Sequence, residues 1–212
     1  MTLKSKLYDL NIARRYDAEL AEATRSARLQ CVPLLRLNPG DAVLDLGCGT
    51  GLNQPYLAQA VGAQGKVVGV DASPKMLAQA EARARDLGYA ERLTLIEADA
   101  RRLPQLAADH EVLRELNGLL ITLFLSVVPD WESVFADAFA LLGDGGRCVI
   151  MDTYWRPPLT WQQRWMCWRY AAHPGRPGFR GLQPAADFEM ENFPPDTWVF
   201  YIASGSKGLT PR

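Results

Sequence analysis

The chain has 212 residues, of which 48% are hydrophobic, and its formal net charge is -1. This length can bury one large core, and a nearly neutral chain has no general basic field, so we expect a single domain that binds no nucleic acid. Its four cysteines form no Cys-x-x-Cys pair and it has two histidines, which predicts neither a metal site nor a disulfide framework.

The first forty residues predict a helical segment that precedes the core of the fold. Residues 9–32 read as one or two helices that end at Pro33, because proline cannot donate a backbone hydrogen bond. The N-terminus lacks the apolar core of a signal peptide, and no later apolar run is long enough to span a bilayer. We therefore expect a cytoplasmic protein.

A glycine-rich turn follows the first predicted strand. Residues 42–46 form an apolar run typical of a buried strand, residues 47–51 read Gly-Cys-Gly-Thr-Gly, and residues 52–60 predict a helix. Glycines let the backbone turn sharply and approach a ligand closely. A strand, a glycine-rich turn and a helix N-terminus together form the nucleotide crevice of doubly wound α/β domains.

The spacing of this turn indicates which nucleotide it binds. A dinucleotide-binding turn would have its third glycine at position 52, which is Leu52. Asp45 would repel a diphosphate and would suit a ligand that carries an ammonium group. The segment Asp45–Gly51 resembles the first motif of class I S-adenosylmethionine-dependent methyltransferases. The resemblance implies that Asp45 lies near the methionine amino group and that the turn packs against the methionyl chain and ribose. The turn residues are Gly47, Cys48, Gly49, Thr50 and Gly51.

A second strand ends in another carboxylate. Residues 66–70 predict a buried strand followed by Asp71, about twenty residues past the glycine turn, where a carboxylate accepts ribose hydroxyls. Ser73 and Pro74 then predict a helix N-terminus. Residues 71–77 resemble the family's second motif, which implies that Asp71 and Ala72 bind the cofactor and that Met76 packs on the adenine. As an alternative, Met76 simply fills the core.

A third predicted strand, residues 93–97, precedes Ala98, Asp99 and Ala100. These three residues resemble the family's adenine site, in which the aspartate accepts the adenine amino group. Three motifs in the expected order favour S-adenosylmethionine as the cofactor. The competing interpretation is that the three aspartates are ordinary carboxylates at strand ends that face water.

The rest of the chain predicts further alternation of strands and helices. Strands are expected at residues 119–123, 147–152 and 198–203, and a helix at 130–142. The resemblance implies an antiparallel last strand beside the fifth, hence a doubly wound, Rossmann-like, mixed seven-stranded sheet with helices on both faces. Within a single domain 1–212 we expect a helical lid (1–40), a cofactor-binding core (41–152) and a variable substrate segment with the last strand (153–212).

Segments outside these motifs indicate the acceptor. Residues 125–131, Leu-Ser-Val-Val-Pro-Asp-Trp, resemble the corresponding segment of small-molecule and lipid methyltransferases of the ubiquinone and menaquinone biosynthesis type. The chain lacks the Asn/Asp-Pro-Pro-Tyr/Phe and Pro-Cys motifs of nucleic-acid methyltransferases. The Tyr-Asp pairs that begin at Tyr8 and Tyr16 resemble an element that closes over cofactor and acceptor in the same group. Both tyrosines are therefore candidate substrate contacts, although a solvated helix that merely covers the sheet is the alternative.

Three tryptophans fall at helical spacing in the variable segment. Trp161, Trp165 and Trp168 would lie on one helix face beside Arg164 and Arg169. An aromatic face beside arginines suits a membrane interface. The alternative is that the tryptophans cap the sheet and line a closed pocket for a soluble aromatic acceptor, with Trp165 as a substrate contact.

Together these features predict transfer of a methyl group from S-adenosylmethionine to a small or lipid-like acceptor. Two alternatives are aminocarboxypropyl transfer from the same cofactor and a module that binds the cofactor without catalysis. Displacement at a sulfonium needs geometry and a dry site more than acid-base groups. His173, Tyr8 or Tyr16 would be candidate bases for an oxygen acceptor, but no motif assigns a catalytic residue.

Overall fold

The computed structural model describes residues 12–155, 158–170, 172–185, 187–193 and 200–209. Its strands are β1 (Ala42–Leu46), β2 (Lys66–Asp71), β3 (Leu93–Glu97), β4 (Leu116–Thr122), β5 (Leu142–Thr153), β6 (Glu189–Phe193) and β7 (Phe200–Ser206). Its α-helices are α1 (Ile12–Leu34), α2 (Gln54–Val61), α3 (Pro74–Asp86), α4 (Leu103–Asp109), α5 (Trp131–Ala140) and α6 (Trp161–Arg169).

All seven strands form one mixed sheet in the order β3-β2-β1-β4-β5-β7-β6. The five strands from β3 to β5 are parallel, whereas β7 runs antiparallel to β5 and β6 runs antiparallel to β7. The chain order reverses between β1 and β4, which creates the crevice where doubly wound folds bind ligands. The predicted Rossmann-like fold, with its antiparallel last strand beside the fifth, is confirmed.

Helices cover both faces of the sheet. Side chains of α1, α2 and α3 pack with Val43 in one core, and side chains of α4 and α5 pack with Leu44 and Leu46 in the other. The split follows from the alternation of side chains along β1. Because both faces are covered, the central strands are largely apolar, which is why the sequence predicted β1 and β2 to within one residue of their bounds. Strand β4 was predicted from residue 119 but begins three residues earlier, at Leu116.

The structure differs from the sequence prediction around β5. Helix α5 ends at Ala140, and Leu142 already pairs with Leu116 of β4. The register then shifts, so that Gly118 pairs with Arg147 and residues 143–146 bulge from the strand. This glycine-rich bulge looks like a turn in the sequence, and the prediction therefore started the strand five residues late.

Strand β6 was missed by the sequence analysis. Its sequence, Glu-Met-Glu-Asn-Phe, is mostly polar, and β6 lies at the edge of the sheet with β7 as its neighbour. A strand that is half solvated carries few apolar residues, so its composition resembles a loop. Trp198 and Val199, the predicted start of the last strand, lie outside the described residues.

Candidate cofactor site

Three loops meet at the carboxyl edge of β1, β2 and β3. The amides of Gly47 and Cys48 donate to the carbonyl oxygen of Val70, at 2.9 and 3.1 Å, and the amide of Ala98 donates to that of Asp71 at 3.0 Å. These bonds tie the glycine turn, the end of β2 and the loop after β3 together. The structure therefore brings all three sequence motifs to one edge, beside the crevice.

Asp45 is fully buried at the end of β1. Its Oδ1 accepts a hydrogen bond of 2.8 Å from Nδ2 of Asn53, whereas its Oδ2 has no hydrogen-bond partner. Burial raises the pKa of Asp45 to about 6, although the Asn53 bond and the charge of Arg28 act in the opposite direction. A buried carboxylate oxygen without a donor fits a ligand that brings an ammonium group.

Three further residues around Asp45 were not singled out from the sequence. Arg28 of α1 is 5% exposed, and its Nη1 donates to Oδ1 of Asn53 at 2.7 Å and to Oγ1 of Thr122 at 3.0 Å. Nδ2 of Asn53 also donates to Thr122, at 3.0 Å. Since Arg28 lies in a helix with several other charged residues, no local pattern marks it. Asn53 fell inside the predicted helix of residues 52–60, so its position in the sequence did not mark it either.

The glycine turn leaves open space beside Gly49. Gly49 has a φ of 55°, and a Cβ built on it would meet no atom within 4 Å. By contrast, a Cβ on Gly47 would lie 2.3 Å from Cδ2 of Phe124. Gly47 is therefore required by packing within the protein, whereas the surface beside Gly49 can accept a ligand.

Cys48 and Thr50 are buried residues that help to hold the glycine turn in its conformation. Burial raises the pKa of the Cys48 thiol well above its ordinary value, which argues against a nucleophile. The carbonyl oxygen of Thr50 accepts from Nε of Arg83 at 3.0 Å. The amide of Gly51 donates to the carbonyl of Cys48 at 3.0 Å and closes the turn.

Asp71 holds the turn in place. Its Oδ2 accepts from the amide of Gly49 at 2.9 Å, and its Oδ1 accepts from the amide of Ser73 at 2.9 Å. These two bonds fix the carboxylate beside the glycine turn, at the position where a carboxylate accepts ribose hydroxyls in doubly wound folds. Ala72 is exposed beside it, and Met76 is buried in the first turn of α3, which Ser73 caps.

Asp99 is paired within its own loop. Its Oδ1 accepts from the backbone amide of Arg101 at 3.0 Å, and the Arg101 guanidinium forms an ion pair with the same carboxylate. This partner lowers the pKa of Asp99. Ala98 and Ala100 on either side are buried. Asp99, the residue predicted to accept the adenine amino group, therefore lies at the expected edge of the sheet. Its carboxylate already forms an ion pair with Arg101.

The other side of the crevice lies at the carboxyl ends of β4 and β5. Buried Asp152 accepts from the amides of Ser126 and Thr153, at 2.9 and 2.7 Å, and so clamps the segment after β4 onto β5. The amide of His173 donates to the carbonyl of Ser126 at 2.7 Å, and its exposed ring contacts the carbonyl of Pro174. The loop histidine thus helps to fix this segment through its backbone.

Helix α6 forms as predicted, with Thr160 and Gln163 as a capping box. Trp161, Trp165 and Trp168 are 76%, 52% and 79% exposed, and no residue of the helix is buried. The tryptophans therefore do not cap the sheet. No helix in the described part of the chain is long and apolar enough to cross a membrane.

The two candidate tyrosines remain predictions. Tyr8 lies outside the described residues. Tyr16 lies in α1, and its side chain is likewise outside the described part of the structure.

Comparison with known proteins identifies the family. The methyltransferase domain family matches residues 37–171, more than half of the chain. The chain belongs to this family. The predicted membership in the class I S-adenosylmethionine-dependent methyltransferases is thereby confirmed.

Two curated relatives illustrate the similarity. A demethylmenaquinone methyltransferase of Oceanobacillus iheyensis is 30% identical over 147 residues, which are 68% of this chain and 59% of that protein. An arsenite methyltransferase of Halobacterium salinarum is 33% identical over 121 residues, which are 57% of this chain and 29% of that protein. The chain thus spans less than two thirds of the length of either relative.

Solved structures agree on the fold. A geranyl diphosphate C-methyltransferase of Streptomyces coelicolor has a TM-score of 0.71 at 15% identity, over 93% of this chain and 85% of that one. An arsenic(III) methyltransferase of Chlamydomonas reinhardtii has a TM-score of 0.60 at 24% identity, over 82% of this chain and 65% of that one.

Proposed function

We propose that this chain is an S-adenosylmethionine-dependent methyltransferase that acts on a small or lipid-like acceptor of the quinone type. The observation that carries the proposal is the buried Oδ2 of Asp45, which has no partner and lies directly before an open glycine turn. A buried acceptor without a donor is costly for the free protein, so its retention favours a ligand that supplies the donor.

The proposed cofactor contacts follow from the geometry of this edge. Asp45 would hold the methionine ammonium, the glycine turn would contact the methionyl chain, and Asp71 would accept ribose hydroxyls. The full proposed set is Asp45, Gly47, Cys48, Gly49, Thr50, Gly51, Asp71, Ala72, Met76, Ala98, Asp99 and Ala100. When bound, S-adenosylmethionine supplies an electrophilic methyl group on a sulfonium.

The residues of the chain would act by positioning the acceptor and excluding water. Asp152 fixes the segment after β4 at the carboxyl edge, and this segment would supply one wall of the acceptor space. Residues 1–40 would close over the site, and residues 153–212 would supply the variable wall. Such positioning alone can contribute on the order of several kcal/mol to a displacement reaction.

Support for a quinone-type acceptor comes from the relatives. Besides the demethylmenaquinone enzyme, a 2-phytyl-1,4-naphtoquinone methyltransferase of Synechococcus elongatus is 36% identical over 116 residues. Both names describe isoprenoid quinones. We therefore propose a prenylated quinol as the acceptor.

A peripheral membrane contact fits such an acceptor. Helix α6 presents three exposed tryptophans and the exposed Arg164, and Arg169 lies 5.3 Å from the centre of the Tyr170 ring. Tryptophan favours the boundary between headgroups and acyl chains, and arginine favours anionic headgroups. We propose that α6 rests on an anionic lipid surface while the enzyme collects its acceptor.

Product analysis tests the reaction. The chain is incubated with S-adenosylmethionine labelled in the methyl group and with a prenylated 1,4-naphthoquinol or its unprenylated analogue. A labelled quinol with S-adenosylhomocysteine supports methyl transfer, whereas methylthioadenosine would indicate aminocarboxypropyl transfer. Binding of the cofactor without either product, across a panel of acceptors, would favour a module that does not catalyse.

A further inference from the structure

A buried arginine in the N-terminal helix is connected to the carboxylate of the first motif. Arg28 is 5% exposed, and its Nε and Nη1 donate to Thr24, Asn53 and Thr122 at 2.9, 2.7 and 3.0 Å. Asn53 in turn donates to Asp45 at 2.8 Å. Two successive hydrogen bonds, through Asn53, therefore link α1 to the carboxylate that the proposed cofactor would use.

The direction of these bonds is fixed by chemistry. A guanidinium can only donate, so Asn53 must offer its amide oxygen to Arg28. Its NH₂ group is then turned toward Oδ1 of Asp45 and toward Thr122. With Oδ1 occupied in this way, Oδ2 is the oxygen left for a ligand.

We propose that Arg28 is a positioning residue for cofactor binding, which orients the carboxylate of Asp45 through Asn53. The proposal rests on the proposed binding of S-adenosylmethionine at Asp45. It assigns α1 a role in the affinity for the amino acid part of the cofactor, beyond covering the sheet.

Charge supports the same role. The groups that act electrostatically on or with Asp45 are Arg28 from α1, Asp71 at the end of β2, Cys48 in the turn and Tyr89 after α3. Arg28 is the cation among these, and it lowers the pKa of Asp45 against the effects of burial and Asp71. Without it, the carboxylate would be protonated at a higher pH and would lose its attraction for an ammonium.

The test compares two ligands by calorimetry between pH 5.5 and 8.5. S-adenosylhomocysteine carries the ammonium group, and methylthioadenosine lacks it. For the wild type, affinity for S-adenosylhomocysteine should fall as the pH drops through about 6, the pKa of Asp45. In Arg28→Met this fall should begin about one pH unit higher, which gives about threefold weaker binding near pH 6.5 and about eightfold weaker binding near pH 5.5. Methylthioadenosine binding should be unchanged.

Two further variants keep the test decisive. Arg28→Lys retains the charge and should partly restore the wild-type pH profile. Asn53→Ala breaks the same connection and should shift the profile in the same direction as Arg28→Met, even where the latter does not fold. Arg147→Met is the matched control, because Arg147 is also a buried arginine, 4% exposed, but donates to the carbonyl of Leu34 and to the hydroxyl of Ser206. This variant should keep the wild-type pH profile of S-adenosylhomocysteine binding.

The outcomes separate the two proposals. Equal losses for both ligands, with an unmoved pH profile in Arg28→Met and Asn53→Ala, would show that Arg28 is only structural. A wild type that binds neither ligand at any pH would overturn the proposed function itself.

Discussion

Asn53 donates a hydrogen bond of 2.8 Å to one oxygen of Asp45 and leaves the other oxygen buried without a donor. In the protein without ligand, this arrangement is unfavourable above the pKa of Asp45, which burial raises from an ordinary 3.8 to about 6. Because the folded state binds this proton more tightly than the unfolded state, the group's contribution to stability is complete below pH 3.8. It is lost as the pH rises through about 6.

We predict that Asp45→Asn removes this pH dependence. Relative to the wild type, the free energy of unfolding of the variant should gain on the order of 3 kcal/mol between low and neutral pH, since each pKa unit corresponds to about 1.4 kcal/mol. Urea unfolding at pH 4 and pH 7.5 measures the difference. The variant should also lose S-adenosylhomocysteine binding, because the charge that attracts the ammonium is gone. Parallel pH curves for the two proteins would contradict the prediction.

Substitution at Gly49 should separate binding from folding. A Cβ built at this position meets no atom within 4 Å, so Gly49→Val adds its side chain where the cofactor would lie. We expect S-adenosylhomocysteine binding to fall below detection by calorimetry. Gly88→Val is the matched control, since Gly88 also has a positive φ of 74° and open space around its Cβ. Both variants carry similar backbone strain. If Gly49→Val bound S-adenosylhomocysteine normally, the glycine turn would have only a structural role.

Asp99 tests recognition of the adenine amino group. Asp99→Asn can still accept through its amide oxygen, whereas Asp99→Ala cannot, so the alanine variant should lose more affinity, by about 1 kcal/mol. Arg101→Ala is the control for the ion pair, because Arg101 is the partner of Asp99 in its own loop. Equal losses in the two Asp99 variants, measured by calorimetry with methylthioadenosine, would indicate a role in charge or folding instead.

The sequence predicted the cofactor edge better than the rest of the site, for physical reasons. Parallel strands buried on both faces are short apolar runs, and the residues that follow them must meet at one edge. Asp45, Asp71 and Asp99 were therefore placed correctly along the sheet. Arg28 and Thr122 join Asp45 only through the packing of α1 and β4 against the turn, and no spacing along the chain encodes that contact.

The last prediction concerns the exposed tryptophans of α6. If the helix rests on lipid, the chain should float with anionic vesicles, and salt should weaken the binding because Arg164 contributes about 1 kcal/mol of electrostatic attraction. Replacement of Trp165 and Trp168 by Ser should reduce flotation and leave cofactor affinity unchanged, since both side chains are more than half exposed.

Leu87→Ser provides the matched control for this experiment. Leu87 is 59% exposed and lies just after α3, far from α6 in the sequence. Its replacement by serine therefore tests whether the removal of any exposed apolar side chain reduces flotation. We expect this variant to float like the wild type. A wild type that stays off anionic vesicles at every salt concentration would refute the membrane contact and would favour a soluble acceptor, with α6 as one wall of its pocket.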